Sequence, residues 1–171
     1  MDITTPFKIE FIKIKITNFK KKKILINKEL KKYPEKRFNN FFSNRNNDKL
    51  SFALATIFKD EFIKLSKYYS SNINIGNSWS VTYGQGDFHV PHNHGSIGYC
   101  GILYLDMHKD SPTTTYIQPW NNEKDMTQLC QPPVEEGDIM IVPQFLYHYS
   151  EPNKINFKKR ILSFDFKQID L

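Results

Sequence analysis

The chain has 171 residues, which suits one folded domain, and 39% hydrophobic with 25% charged residues is a globular composition. Its net charge of +6 includes a basic run at residues 20–23, interpreted as a solvated helix face, so nucleic acid is not an expected partner. The sequence lacks an apolar membrane span and a signal-peptide pattern, and its two separated cysteines, Cys100 and Cys130, indicate free buried thiols in a reducing compartment. A cytoplasmic protein without membrane contact is therefore expected.

The first part of the chain has helical patterns. Alternation of Ile with Lys over residues 12–16 predicts a half-buried strand, and a helix is predicted over residues 20–32. The Asn-rich residues 38–49 indicate a loop. A helical apolar stripe predicts a second helix over residues 51–70, closed by residues 72–76.

The second part changes to short apolar runs separated by turn residues. These runs predict strands at residues 78–83, 88–94, 99–106, 114–117, 139–143, 145–149 and 160–166. Strands at this spacing indicate an antiparallel sandwich or barrel, so a mainly β (α+β) chain is expected. We predict one folded unit, in which residues 1–75 form a strand and helices that support a core of residues 76–171.

Three of the five histidines have a pattern that fits a metal site. His92 and His94 are two positions apart, so in a strand both imidazoles lie on the same face and supply half of a site. His148 lies in a late apolar strand that could approach them and add a third ligand. His89 and His108 have no such partners and are predicted to lie on the surface.

A series of short motifs covers about half of the chain, from Trp79 to Phe166. They are Asn77-Ser78-Trp79, Tyr83 with Gly84 and Gly86, His92-Asn93-His94, Gly101-Ile102-Leu103-Tyr104-Leu105, Pro133 with Gly137-Asp138, Pro143 before His148, and a basic residue ahead of Leu162-Ser163-Phe164. In this order they resemble the small 2-oxoglutarate/iron(II) oxygenases related to prolyl hydroxylases, especially a compact group common in phage and marine bacterial genomes. The resemblance implies a double-stranded β-helix, which is a jelly-roll or cupin-like barrel, with the N-terminal helices on one face.

The same resemblance implies iron(II) as the metal and 2-oxoglutarate and dioxygen as small co-substrates. His92 corresponds to the first ligand and His148 to the last. The middle ligand, usually Asp or Glu in the wider superfamily, corresponds to His94. Either His94 completes a three-histidine site, or it does not bind and leaves two ligands plus a water. Asp87 and Asp106 are conceivable substitute ligands.

The distal carboxylate of 2-oxoglutarate needs a cation, because burying its charge unpaired is costly. The resemblance places that cation on the last strand, where Lys159 and Arg160 are both candidates. Alternation favours Lys159, whereas Arg160 offers a bidentate guanidinium. Tyr83 and Tyr104 match tyrosines whose hydroxyls line the same pocket, and aromatic packing within the strands is their alternative role.

The implied reaction is hydroxylation of a substrate that the sequence does not specify. A protein or peptide residue such as proline, a small amino acid and a nucleic-acid base are the candidates. A homodimer is left open, and the compartment of a viral protein would be the host cytoplasm. One alternative is a metal-binding cupin enzyme that does not use 2-oxoglutarate, although the expected glutamate after His94 is missing. The other is a non-enzymatic jelly-roll that binds a partner through its basic N-terminal helix.

Overall fold

A computed structural model describes residues 8–45 and 48–169, and it contains eleven strands and three helices within these ranges. The helices are α1 (Phe19–Leu30), α2 (Asp48–Ile57) and α3 (Lys59–Tyr69). The strands are β1 (Ile12–Lys15), β2 (Lys36–Phe38), β3 (Phe41–Ser43), β4 (Asn72–Tyr83), β5 (His89–His92), β6 (Tyr99–Asp106), β7 (Thr114–Asn121), β8 (Thr127–Cys130), β9 (Asp138–Pro143), β10 (His148–Ser150) and β11 (Lys159–Ile169).

The strands form two antiparallel sheets, so the prediction of a mainly β chain is confirmed. The large sheet has the order β1-β9-β6-β11-β4-β3-β2, and the small sheet has the order β5-β10-β7-β8. The last strand, β11, lies inside the large sheet and pairs with β4 on one side and β6 on the other. Because β11 is paired along both edges, the side chains on its two faces are held at defined positions.

One face of the large sheet packs against the helices. Leu162, Phe164 and Phe166 project from β11 into a core that includes Leu54 and Phe58. The ring centroids of Phe58 and Phe164 are 6.3 Å apart. These fully buried apolar side chains supply hydrophobic stabilisation.

The other face of the large sheet packs against the small sheet. Val81, Ile102 and Ile161 of the large sheet and Tyr116 of the small sheet belong to this second core. Buried polar residues of the same region include His148, Ser150, Lys159 and Ser163. The polar groups that could do chemistry are therefore found between the two sheets.

Three predictions for the first part of the chain are wrong in detail. Residues 38–49 are not only a loop, because β2 and β3 form a hairpin there and β3 adds to the edge of β4. The helix predicted over residues 51–70 is interrupted at the buried Phe58, whose φ of −98° and ψ of 17° separate α2 from α3. Residues 72–76, expected to close that helix, instead begin β4.

The predictions for the second part differ less from the structure. Strand β8 was not predicted, and the strand expected over residues 145–149 is shifted to β10. Cys100 is a buried free thiol as expected, whereas Cys130 is exposed. Within the described residues, no helix is long and apolar enough to cross a membrane.

Part of the basic run in α1 is engaged in ion pairs within the protein. The Lys22 ammonium lies 2.6 Å from the carboxylate of Glu61, which is fully buried. The Lys23 ammonium lies 2.7 Å from Asp106 and 2.8 Å from Glu136. These lysines attach the helix to its neighbours, which reduces the positive charge available for an external partner.

Candidate metal and anion site

Strand pairing in the small sheet brings the three predicted histidines together. His92 of β5 and His148 of β10 are directly opposite each other in the antiparallel register. His94 follows β5, and its backbone N–H donates to the Gln144 carbonyl over 3.0 Å. One potential ligand atom from each of the three histidines lies within 4.8 Å of the other two, a spacing at which one metal ion can bind all three.

Each imidazole of this histidine triad already has a partner at its Nδ1 atom. Nδ1 of His92 lies 2.9 Å from the Val90 carbonyl oxygen, and Nδ1 of His148 lies 2.9 Å from the Leu146 carbonyl oxygen. A carbonyl only accepts hydrogen bonds, so Nδ1 carries the proton in both rings and Nε2 keeps its lone pair. Nδ1 of His94 lies 2.6 Å from Asp165 Oδ1. This arrangement leaves three Nε2 atoms as the metal-binding groups.

Burial keeps His92 and His148 neutral. It lowers the pKa of His92 to about 4, against a weaker opposing effect of the Val90 hydrogen bond. Burial also lowers the pKa of His148 to about 3, with repulsion from His92 as the next cause. Neutral imidazoles with a free lone pair are the form that binds transition metals.

Lys159 provides a buried cation that faces the space between the sheets. Its side chain is 1% exposed, and its ammonium donates to Ser150 Oγ over 2.6 Å and to the Pro112 carbonyl over 2.9 Å. The ammonium also lies 4.4 Å from the centre of the Tyr83 ring. Among the described residues, no carboxylate lies within ion-pair distance of it, and burial lowers its pKa to about 7. The site thus contains a cation without an anionic partner.

Arg160, the other candidate cation, points to the opposite face of β11. Its guanidinium contacts Asp106 at 2.6 Å and the side-chain oxygen of Asn27 at 2.6 Å. The alternation of β11 therefore directs only Lys159 of this pair between the sheets. The Arg160 charge is satisfied by a carboxylate on the helix side of the sheet.

The two predicted tyrosines both lie between the sheets. Tyr83 lines the cavity beside the triad, and burial raises the pKa of its hydroxyl. The Tyr104 hydroxyl donates to Thr114 Oγ1 over 3.0 Å and accepts from the Thr114 N–H. Thr114 lines the cavity, whereas Tyr104 is not among its lining residues.

The conceivable substitute ligands lie elsewhere. Asp87 accepts a hydrogen bond from the Gly84 N–H, as expected for a turn residue, and forms an ion pair with Arg37. Asp106 binds Lys23 and Arg160. Neither carboxylate belongs to the cluster that could hold a metal ion.

The two remaining histidines differ from each other. His108 is exposed, as predicted, and lies 3.5 Å from the carboxylate of Asp110. The prediction for His89 is wrong, because its ring stacks on His92 with centroids 3.8 Å apart and lines the cavity. Burial lowers the pKa of His89 to about 2, so it is another neutral imidazole beside the triad.

Asp165 was missed by the sequence analysis although its position carried a signal. It lies six residues after Lys159 on β11, so strand alternation puts both on the same face. Ser163, between them on that face, lines the cavity. Applying the alternation to the whole strand would have identified Asp165 as a neighbour of the site.

The cavity between the triad and Ser150 is small. Its volume is about 20 Å³, enough for an ion or a single water molecule. Its apolar lining includes Trp79, Val81 and Ile161. A ligand larger than water requires some of the lining side chains to move.

No protein-family model matches the chain, and no curated protein matches its sequence. Solved structures do match its fold. An oxidoreductase of the 2OG-Fe(II) oxygenase family from Burkholderia pseudomallei aligns with a TM-score of 0.70 and 10% identity, over 92% of this chain and 84% of its own. HygX from Streptomyces hygroscopicus, with nickel and 2-oxoglutarate bound, aligns with a TM-score of 0.70 and 11% identity, over 92% and 82%.

A third match is the viral collagen prolyl hydroxylase vCPH from Paramecium bursaria Chlorella virus-1, in complex with 2-oxoglutarate. It aligns with a TM-score of 0.60 and 17% identity, over 93% of this chain and 96% of its own. The chain therefore has the fold found in 2-oxoglutarate/iron(II) oxygenases, prolyl hydroxylases among them. At the level of fold, this confirms the resemblance predicted from the sequence motifs.

Proposed function

We propose that this protein is an iron(II)- and 2-oxoglutarate-dependent dioxygenase that hydroxylates its substrate. The observation that carries the proposal is the combination of three converging imidazoles with the buried ammonium of Lys159, which has no carboxylate partner among the described residues. A metal-binding histidine triad alone would suit many enzymes. A buried cation on the same side of the sheet adds a place for the carboxylate of a metal-bound acid.

The fold supports a finer structural assignment. We assign the two facing sheets as a double-stranded β-helix whose strands position the site. We also treat the chain as one folded unit, with residues 1–75 supporting residues 76–171. In support, β4 crosses that boundary, and β1 pairs with β9.

The residues have distinct roles in this proposal. Nε2 atoms of His92, His94 and His148 hold iron(II), with their Nδ1 partners keeping the rings oriented. The Lys159 ammonium binds the distal carboxylate of 2-oxoglutarate, which replaces its contacts with Ser150 and Pro112. Together, iron, 2-oxoglutarate and dioxygen supply the oxidising power for a substrate C–H bond.

The remaining side chains control access to the site. Trp79, Val81 and Ile161 surround the triad with apolar surface and exclude water. Tyr83 packs its ring against the Lys159 ammonium and thereby limits the positions that the ammonium can take. Because the cavity is small, we propose that the Lys159 side chain moves away from Ser150 and Pro112 when its ammonium binds 2-oxoglutarate.

The substrate class is not determined by these residues. One structural relative is named a collagen prolyl hydroxylase, and a structure of HygX contains hygromycin B. A peptidyl residue such as proline and a small molecule are therefore both candidates for screening. We propose no nucleic-acid partner, because Lys22 and Lys23 of the basic helix are held in internal ion pairs.

The experiment that tests this function is an anaerobic titration of the metal-free protein with iron(II) and then 2-oxoglutarate. We expect a weak visible charge-transfer band from the chelated 2-oxo acid, which fades when air is admitted and succinate forms. Iron binding without the band would favour a cupin enzyme that does not use 2-oxoglutarate. Absence of metal binding would refute the enzyme proposal and favour a binding protein.

Substitutions at two neighbouring residues test whether Lys159 binds 2-oxoglutarate in this titration. Lys159→Met should keep iron binding but require about 100-fold more 2-oxoglutarate to form the band, because one desolvated charge pair is lost. Arg160→Met is the matched control, since it removes a cation from the other face of the same strand. Equal effects of the two substitutions would contradict the role of Lys159.

A further inference from the structure

Asp165 contacts the histidine triad from outside the metal-binding position. Its Oδ1 atom lies 2.6 Å from Nδ1 of His94, and the two side chains are 17% and 5% exposed. Among the described residues, it is the one carboxylate within 4.0 Å of a triad nitrogen. The contact is short, mostly shielded from water and directed at the atom opposite the metal-binding Nε2.

The backbone of β11 fixes the position of this carboxylate. Asp165 pairs with Cys100 of β6, and a bulge on the β4 side leaves it between the paired residues Phe164 and Phe166. Both phenylalanines are buried in the helix-side core. Asp165 therefore projects between the sheets because its two neighbours are anchored on the opposite face.

The contact between Asp165 and His94 affects the negative charge available to a metal at this site. The usual facial triad of two histidines and one carboxylate gives a divalent iron one negative ligand, whereas three neutral imidazoles give it none. A carboxylate that accepts the Nδ1 proton of a metal-bound histidine orients the ring and makes its Nε2 a stronger ligand. The pair of His94 and Asp165 could thus supply, through the imidazole, the charge that is missing at the metal.

We propose that Asp165 is a positioning residue that compensates for the replacement of the usual carboxylate ligand by His94. This inference rests on the proposed metal site and adds the reason why that site can function with three histidines. Asp165 bonds to Nδ1 of His94, and we assign Nε2 of the same ring to the metal. It acts on the metal through the His94 ring.

The first test measures the affinity of the purified, metal-free protein for cobalt(II), an air-stable probe, by competition with a chelator. Asp165→Asn keeps an oxygen that can accept the Nδ1 hydrogen bond but removes the charge, and it should weaken cobalt binding about 10-fold. Asp165→Ala removes both the hydrogen-bond acceptor and the charge, and it should weaken cobalt binding about 100-fold. Asp110→Asn is the matched control, because Asp110 contacts the exposed His108 outside the cavity and should leave the affinity unchanged.

The second test separates charge compensation from a purely structural role. In a His94→Asp protein, a carboxylate occupies the ligand position itself and faces Asp165, so the two negative charges repel each other. Adding Asp165→Asn should then leave cobalt affinity unchanged or increase it, whereas the same substitution weakens binding in the wild-type protein. Similar losses in both backgrounds would overturn the inference, because a contribution of Asp165 to folding alone, made without His94, does not depend on the ligand at position 94.

The outcomes also separate this inference from the proposed function. If the wild-type protein binds no metal, the proposed function fails. If it binds cobalt and forms the 2-oxoglutarate band with iron, but Asp165→Asn binds cobalt equally well, only the inference about Asp165 fails. Thermal unfolding of each variant checks that it is folded, and the near-isosteric Asn variant keeps the test informative if the Ala variant does not fold.

Discussion

From Lys159 to Phe166, the two faces of β11 differ: the helix-side face is apolar after Arg160, and the inter-sheet face combines Ile161 with polar side chains. Towards the helices, Leu162, Phe164 and Phe166 are apolar and at most 1% exposed. Towards the small sheet, Lys159 is an ammonium that has no carboxylate partner among the described residues, and Asp165 bonds to a histidine. One strand therefore contributes both to the hydrophobic core and to the candidate site.

The difference between the faces follows from the free energy of burial. Burying apolar side chains stabilises the fold, whereas burying a charged or polar group stabilises it only when that group is fully paired. The helix side should therefore carry most of the stability, and the inter-sheet side should carry metal and anion binding at some cost in stability. Substitutions on each face test this separation of roles.

Phe164→Ala on the helix side should have the largest effect. Phe164 is fully buried, contacts Phe58 and Phe62, and covers Gly101, where an added Cβ would lie 2.2 Å from its ring. We expect a loss of about 3–5 kcal/mol in the free energy of unfolding, measured with urea. Metal affinity of the protein that remains folded should be unchanged, and a loss below about 1 kcal/mol would contradict the assigned role of this core.

His148→Ala should mainly weaken metal binding, whereas Phe164→Ala should mainly lower stability. The substitution removes one of three converging ligands, so we expect iron(II) affinity to fall at least about 100-fold, measured by anaerobic calorimetry. His108→Ala is the control, because His108 is exposed and outside the cluster. Full iron affinity in His148→Ala would contradict the assignment of the site.

The metal-free protein should also reveal the cost of burying Lys159. Burial lowers its pKa from 10.5 to about 7, so between these values the unfolded chain binds more protons than the folded protein. Stability of the wild type should rise with pH across this range by up to about 1.4 kcal/mol per pH unit because of this group. Below the folded-state pKa the lysine is charged in both states, and the full cost of burying it is present.

Urea unfolding of Lys159→Met at a series of pH values measures that contribution. The stability of the variant relative to the wild type should be greatest below pH 7 and should decrease as the pH approaches 10.5, on top of a constant loss from the broken hydrogen bonds. A difference that is independent of pH would show that folding does not disfavour the charged form of Lys159.

Tyr104→Phe should have the smallest effect. Removing its hydroxyl breaks the bond to Thr114 and should cost about 1 kcal/mol of unfolding free energy. Tyr116→Phe is a matched control in the same core, because the buried Tyr116 hydroxyl has no hydrogen-bond partner within the described residues and its removal should not destabilise. If Tyr104→Phe also weakens 2-oxoglutarate binding more than Tyr116→Phe does, Tyr104 contributes to the co-substrate pocket.

Local patterns predicted much of the fold and the main residues of the candidate site. The two-residue spacing of His92 and His94 identified both residues of the pair, and the alternation of β11 favoured Lys159 over Arg160. The structure places His92 and His94 in one cluster and Lys159 between the sheets, in agreement with strand periodicity, which depends only on neighbouring residues. The motif order also indicated His148, although its distance from the pair in the sequence gives no spatial information by itself.

Other features depended on contacts between distant segments. The hairpin of β2 and β3 lies in an Asn-rich segment with a weak strand pattern, and its pairing with β4 supports it. His89 was assigned to the surface because no nearby residue indicated otherwise, but Phe41 and His92 pack against its ring. Tertiary packing outweighs local propensity in both cases.

Local sequence patterns were enough to predict the mainly β character of the second half, the histidine pair and the inward face of β11. Strand periodicity and turn residues are sufficient for these features because they act over a few residues. Only the tertiary structure decided that His148 lies opposite His92, that Arg160 is neutralised by Asp106 and that Asp165 reaches His94. Those contacts join residues 54 to 71 positions apart, and their formation depends on how the sheets pair and pack.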